Sequence, residues 1–276
     1  MSIVNAGMIK FGQYDENPYK LHDFPFFILL GVLGGLLGAF FIYVNYSINK
    51  LRKHHLNTKW KKVFEAIVLV AITATVIYFA PLILKNDCLE EEDKQIEADF
   101  IKYKCGDNQY NPLATLLLNT EGTVIKAFLN KLAVFDYAPL FLFFIIWYLF
   151  TVITYGTAVP AGLFLPGILI GCSLGRMMGL FIETYIITEI KPSTYAIIGS
   201  AAILAGYTRL SFSLAVIMLE TTENVGLFLP IIFALFVSFG IGRIFNRSLY
   251  VASVRFKNIP FLIEKVPKCN EKITAE

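Results

Sequence analysis

Charge is what this sequence has least of: 16% of its 276 residues are Asp, Glu, Lys or Arg, against roughly a quarter in an ordinary soluble domain. That scarcity excludes water as the main solvent of the chain. Histidine is almost missing, and His22, His54 and His55 lack metal-ligand partners at useful spacing, so all three read as solvated loop residues and no metal site is expected. The four cysteines, Cys88, Cys105, Cys172 and Cys269, form no C-x-x-C pair, which leaves a zinc or redox centre without support. There is no H-E-x-x-H, no G-x-S-x-G and no P-loop, so enzymatic chemistry is not expected. The acids nearest the apolar spans, Glu183 and Glu220, lie at span ends and read as interfacial. A net charge of +3, with basic residues beside apolar runs and not on an aromatic-interleaved patch, gives no sign of nucleic-acid binding. Met1 to Asp23 is polar and has no short apolar core followed by a small-residue cleavage site, so membrane insertion must rest on internal segments.

Apolar residues fill the place of the missing charge. They make up 56% of the chain, with 15% aromatic, and they cluster. Phe24 to Asn49, Ala66 to Leu84, Tyr137 to Gly175 and Asn224 to Gly242 carry almost no charge, and each reaches or approaches the ~20 residues a helix needs to cross a bilayer. The expected fold is all-α: a polytopic membrane protein with broken and half-length helices. Asn49 to Lys62 holds six basic residues and no acid, which the positive-inside rule places in the cytoplasm. The segment 85–112 is acidic and belongs on the opposite, luminal or extracellular side, as does the lead-in 1–23. The membrane domain then covers 24–254, and the basic end 255–276 is a cytoplasmic tail. Cys88 and Cys105 share the acidic loop, where a disulfide and two free thiols are both open.

Asn111 to Lys131 is only moderately apolar and contains Glu121 and Lys126, so it reads as a partial or peripheral helix and not a span. Tyr137 to Gly175 is about twice one crossing and is interrupted by Gly156, Pro160, Gly162, Pro166 and Gly167, which predicts two helices with a break between them. Pro192 to Thr208 and Leu210 to Leu219 are short apolar pieces, the second too short to cross alone. Interrupted helices at membrane depth expose backbone groups that hydrocarbon cannot satisfy, so they point to a cavity or pathway.

The strongest local feature is GTAVPAGLFLPGILIGCSLGRMMG, Gly156 to Gly179, where a glycine and proline break opens directly into an apolar helix. The first amides of a helix lack intrahelical partners and sit at the positive end of the macrodipole, which suits a dehydrated anion. Leu163 and Phe164 would donate. Pro166 suits the first turn, and Gly162 lets the backbone approach an ion. Partial charges also hold an ion loosely enough to release it. The same letters equally suit a plain helix start, and GLFLP recurs at Gly226 to Pro230, where bulky Ile231, Ile232 and Phe233 follow and the start reads as facing lipid or a partner. Gly167, Gly171, Gly175 and Gly179 lie at four-residue spacing along one face, which a neighbouring helix or the pore could approach. Gly31, Gly34, Gly35 and Gly38 form a similar face, for close packing rather than a dinucleotide loop, because no strand precedes them and no ribose-binding acid follows.

Gly162, Phe164 and Pro166 fit the G-x-F-x-P signature of CLC chloride channels and chloride/proton exchangers, and the chain resembles that family over nearly its whole length. Leu29 to Phe41 is similar to the helix opening the family's second inverted repeat, Tyr195 to Thr222 to its two short helices, and Ser248 to Leu262 to its last helix and cytoplasmic exit. GMIKFGQY, the loop cysteines and CGDNQYN look most like eukaryotic endolysosomal members, the exchangers. The resemblance implies a central chloride, transported and not held as a cofactor, bound by the amides of Leu163 and Phe164 and by the hydroxyl of Tyr250. It also implies a homodimer with one pore per subunit, the region Leu210 to Phe245 contributing to the interface. The glycine-rich loops of the family's first repeat, its gating and proton-transfer glutamates and its CBS domains do not occur in these residues: the first repeat is a separate chain, or these residues are part of a longer protein, or transport has been lost, and on the transport reading a first-repeat half is the expected partner. Two functions stay open at this point: half of an anion pathway, channel or exchanger, and a non-transporting membrane scaffold of the same fold.

Overall fold

A computed structural model describes residues 19–56, 58–82, 88–90, 101–106, 109–129, 135–186, 191–210, 212–222 and 225–260. Cys269 and most of the basic tail lie outside them. The described chain is a helical assembly: α1 (Phe24–His55), α2 (Lys59–Phe79), α3 (Pro112–Leu118), α4 (Glu121–Leu129), α5 (Tyr137–Thr154), α6 (Phe164–Tyr185), α7 (Pro192–Thr208), α8 (Phe212–Thr222), α9 (Phe228–Phe245) and α10 (Leu249–Phe256). One short antiparallel ladder, β1 (Leu89–Glu90) with β2 (Gln109–Tyr110), pairs Leu89 with Tyr110. Five helical stretches are long and apolar enough to cross a membrane, Phe24–His55, Lys59–Leu82, Tyr137–Thr154, Phe164–Tyr185 and Val225–Phe256, and the protein is a polytopic integral membrane protein.

Local signals set the helix ends. Asn111 accepts from the amide of Ala114 at 3.0 Å and Pro112 occupies the first position of α3. Pro192 opens α7, and Arg52, Lys53, His54 and His55 close α1 at the negative end of its dipole. His54 and His55 are therefore exposed helical residues and not loop residues as expected, because α1 continues past the apolar run on basic residues that favour its C-terminus.

The centre of the molecule is α7. Every residue from Ser193 to Thr208 is buried, and α1, α6 and α9 surround it. In a bilayer, helix association depends on close van der Waals contact more than on hydrophobic transfer, and the glycine faces supply that contact. A Cβ on Gly171 would collide with Ser200 and Gly199, and one on Gly175 with the Tyr195 carbonyl, so the glycine face of α6 meets α7. On α1, Gly38 abuts Gly206 of α7, whereas Gly31 and Gly35 abut Ala234 and Ser238 of α9. The segment expected to be peripheral, Asn111 to Lys131, is not a span, but neither is it peripheral. It forms α3 and α4, whose Leu113, Ala114, Ile125 and Phe128 are fully buried against neighbours that include α5, α6 and α7. Its two charges mislead because Lys126 points outward and Glu121 sits at the helix start.

Polar side chains tie the ends of the bundle together. Arg209, with φ 59° just past α7, donates to the Gly242 carbonyl at 2.7 Å and to Asn246 at 2.6 Å, and Asn246 donates to the Ala39 carbonyl at 2.8 Å. One guanidinium thus links the ends of α7 and α9 with α1. Cys88 and Cys105 form a disulfide that closes the acidic loop beside the β1–β2 ladder, and Cys172 is a buried free thiol.

Candidate anion site at the start of the sixth helix

The apolar stretch from Tyr137 to Gly175 divides as expected: α5 ends at Thr154, the chain runs extended or in turns through 155–163, and α6 begins at Phe164 with Leu163 as N-cap. The first intrahelical bond runs from the Gly167 amide to the Leu163 carbonyl at 3.1 Å. Pro166 has no N–H to place. The amides of Leu163, Phe164 and Leu165 donate to no protein acceptor among the described residues. Leu163 is buried, at 5% exposure, while Phe164 is 38% exposed. The N-terminal end of a 22-residue helix therefore presents unpaired donors and the positive end of its dipole.

One hydroxyl borders this end. Tyr207, buried in α7, donates to the Leu163 carbonyl at 2.8 Å, which fixes the peptide plane just ahead of the Phe164 amide. Tyr250 lies on α10, within electrostatic range of Tyr207 and of Tyr155. The structure thus puts Leu163 and Phe164 at one helix start and Tyr250 on the first turn of α10. Gly162 has open space where a Cβ would be, so packing does not demand glycine there. The second GLFLP copy also opens a helix, α9, with Leu227 as N-cap. There too the N-cap leucine is buried, and Phe228 and Leu229 are exposed while Ile231 is fully buried, so burial does not separate the two copies.

A cavity of about 660 Å³ opens ahead of α6, between the strand 155–161 and residues of α1, α2 and α10. Arg52, Lys53, Lys62 and Lys257 line it with Glu65 as the acid, giving a vestibule of positive sign along the segment that precedes the helix. Sequence reasoning missed Tyr207, and it missed Asn45, a fully buried amide inside an apolar span. The signal for Asn45 was present, since an uncompensated polar residue at membrane depth needs a partner.

The described chain is thus a helix-rich membrane protein in which a break between α5 and α6 leaves amides unpaired at a helix start. The family comparison narrows this: residues 2–243 match the voltage-gated chloride channel model, and the chain belongs to that family, the CLC proteins. It is 33% identical to the mouse H(+)/Cl(-) exchange transporter 7, covering 98% of this chain and 34% of that protein. It is likewise 33% identical to chloride channel protein C of Dictyostelium discoideum, over 98% of this chain and 37% of the relative. The crystal structure of a eukaryotic CLC transporter superposes with a TM-score of 0.59 at 26% identity, over 87% of this chain and 36% of that one. The chain spans about a third of the length of these relatives.

Proposed function

We propose that this chain forms the second half of a chloride pathway, with the ion held by the main-chain amides of Leu163 and Phe164 and by the hydroxyl of Tyr250. The observation that supports the reading is the set of unpaired donors at the start of α6, with Tyr207 on the Leu163 carbonyl and a basic cavity along the segment that leads into the helix. Donors left without acceptors inside a membrane protein are costly, and an anion removes that cost. The remaining ligands come from a first-repeat segment, a reading supported by the exposed flank of α2, among whose residues none is buried. A homodimer with one pathway per subunit, docked through the exposed apolar faces of α8 and α9, and an endolysosomal membrane complete the reading. Lys50 to Lys62 then faces the cytoplasm and the disulfide-closed loop the lumen, where oxidising conditions sustain it.

Side-chain substitution does not reach an amide donor, so the decisive variant is an ester in place of the Phe164 amide, made with the α-hydroxy analogue of phenylalanine. It removes one N–H and keeps the side chain. Chloride binding measured by calorimetry should weaken about tenfold or more, the scale of one charge-assisted hydrogen bond. Unchanged binding would remove Phe164 from the site.

A further inference from the structure

The strand 155–163 that delivers Leu163 to the site has little apolar burial of its own. Gly156, Ala158, Val159, Pro160 and Gly162 are all exposed, and the vestibule opens along it. Its anchors are polar and lie at its two ends. At the far end is the bond from Tyr207 to the Leu163 carbonyl. At the near end, where α5 unwinds, the carbonyls of Thr151 and Thr154 accept from the amides of Tyr155 and Thr157, and those of Val152, Ile153 and Tyr155 are left for side chains.

One face of α1 supplies them. Asn45 donates to Val152 at 2.8 Å and to Tyr155 at 2.7 Å. Asn49 donates to the Asn45 side-chain oxygen at 2.9 Å. Arg52 donates to the Asn49 oxygen at 3.2 Å, to the Tyr155 carbonyl at 3.3 Å and to the Ile153 carbonyl at 2.5 Å. Its remaining edge meets Glu65 of α2 at 2.5 Å. The direction of this chain is dictated by chemistry: a guanidinium only donates, so Asn49 must turn its oxygen to Arg52 and its NH₂ to Asn45, which in turn aims its NH₂ at the strand. Gly156, with φ +98°, is pressed so closely against the Asn49 amide that a Cβ would collide with it.

We propose that Asn45, Asn49 and Arg52, braced by Glu65, are positioning residues that set the anion affinity of the Leu163–Phe164 amides by holding the strand that carries them. This rests on the chloride reading above, and the test separates the two. A nitroxide attached at Val159→Cys reports strand motion, one at Phe181→Cys on the exposed side of α6 reports the fold, and calorimetry reports chloride binding, all on this chain assembled with a first-repeat chain in lipid nanodiscs. Arg52→Lys keeps the charge and loses the planar fork, and Asn49→Ala breaks the relay. Both should mobilise the label at position 159, leave the label at 181 unchanged and weaken chloride binding about tenfold. Lys53→Ala removes a charge from the same vestibule without a bond to the strand and should leave the label at 159 immobile. If position 159 is unmoved by Arg52→Lys and Asn49→Ala, or moved but with full chloride affinity retained, the proposal is overturned. If Lys53→Ala weakens binding as much as Arg52→Lys, vestibule charge and not positioning is at work. If the unmodified chain binds no chloride while position 159 still responds, the chloride reading fails and the hold on the strand stands.

Discussion

Tyr250 and Glu121 carry residue-scale predictions of different kinds. Tyr250→Phe removes one oxygen and keeps the ring, so chloride binding should weaken about tenfold with the melting temperature unchanged, as expected of one hydrogen bond to a charged partner. Calorimetry and a thermal melt on the same sample check both halves. Glu121, at the start of α4 outside the spans, has its carboxyl pushed above the ordinary value by burial. The folded chain therefore binds that proton more tightly than the unfolded chain, and stability falls as pH rises from the unfolded value through the raised one. Glu121→Gln should raise the melting temperature at neutral pH and leave it unchanged at about pH 3, below both values. On the proposed topology Glu121 faces an acidic lumen, where its cost is smallest. The helix start at Leu163, Phe164 and Pro166 was legible in the sequence because a proline and glycine break before an apolar run predicts one. Tyr207 was not legible: a tyrosine near the end of an apolar helix has no pattern that distinguishes a hydroxyl aimed at a carbonyl from one at the interface. The Asn45–Asn49–Arg52 relay was half legible, its i, i+4, i+7 spacing being visible but its target, the end of α5, lying about a hundred residues away.

At the scale of elements, the break between α5 and α6 and the glycine faces were foreseen, and the partners of those faces were not. Spacing says that a face is smooth; only the fold says that Gly171 and Gly175 meet α7 and that Gly31 and Gly35 meet α9. The consequence is testable by contrast. Gly175→Leu forces a side chain into the Tyr195 backbone and should cost at least about 1–3 kcal/mol, the usual scale of overpacking, seen as a lower melting temperature in detergent. Gly162→Ala, where a Cβ meets nothing, should leave the melt unchanged. The burial of α3 and α4 was hidden for a related reason. Glu121 and Lys126 dilute the hydropathy of a segment in which one charge sits at the helix start and the other points outward, and a mean over the segment cannot show which positions they occupy.

For the molecule as a whole, α2 is the element that asks for a partner. It is a 21-residue helix with no buried residue, joined to the rest of the described chain by Arg52–Glu65 near one end and by α3 and Tyr103 near the other. A first-repeat segment seated there would complete both the α2 contact and the ligand set of the ion. Chloride flux into liposomes should accordingly require a first-repeat chain alongside this one, and flux from this chain alone would show that the pathway is complete without it. The central claim concerns where the ion sits, and bromide, a heavier stand-in for chloride, locates it directly by anomalous diffraction from crystals grown in bromide. The account predicts a peak within hydrogen-bonding distance of the Leu163 and Phe164 amides, on the side that faces Tyr250. Crystals with no bromide there, and with those amides bonded instead to protein carbonyls, would contradict it.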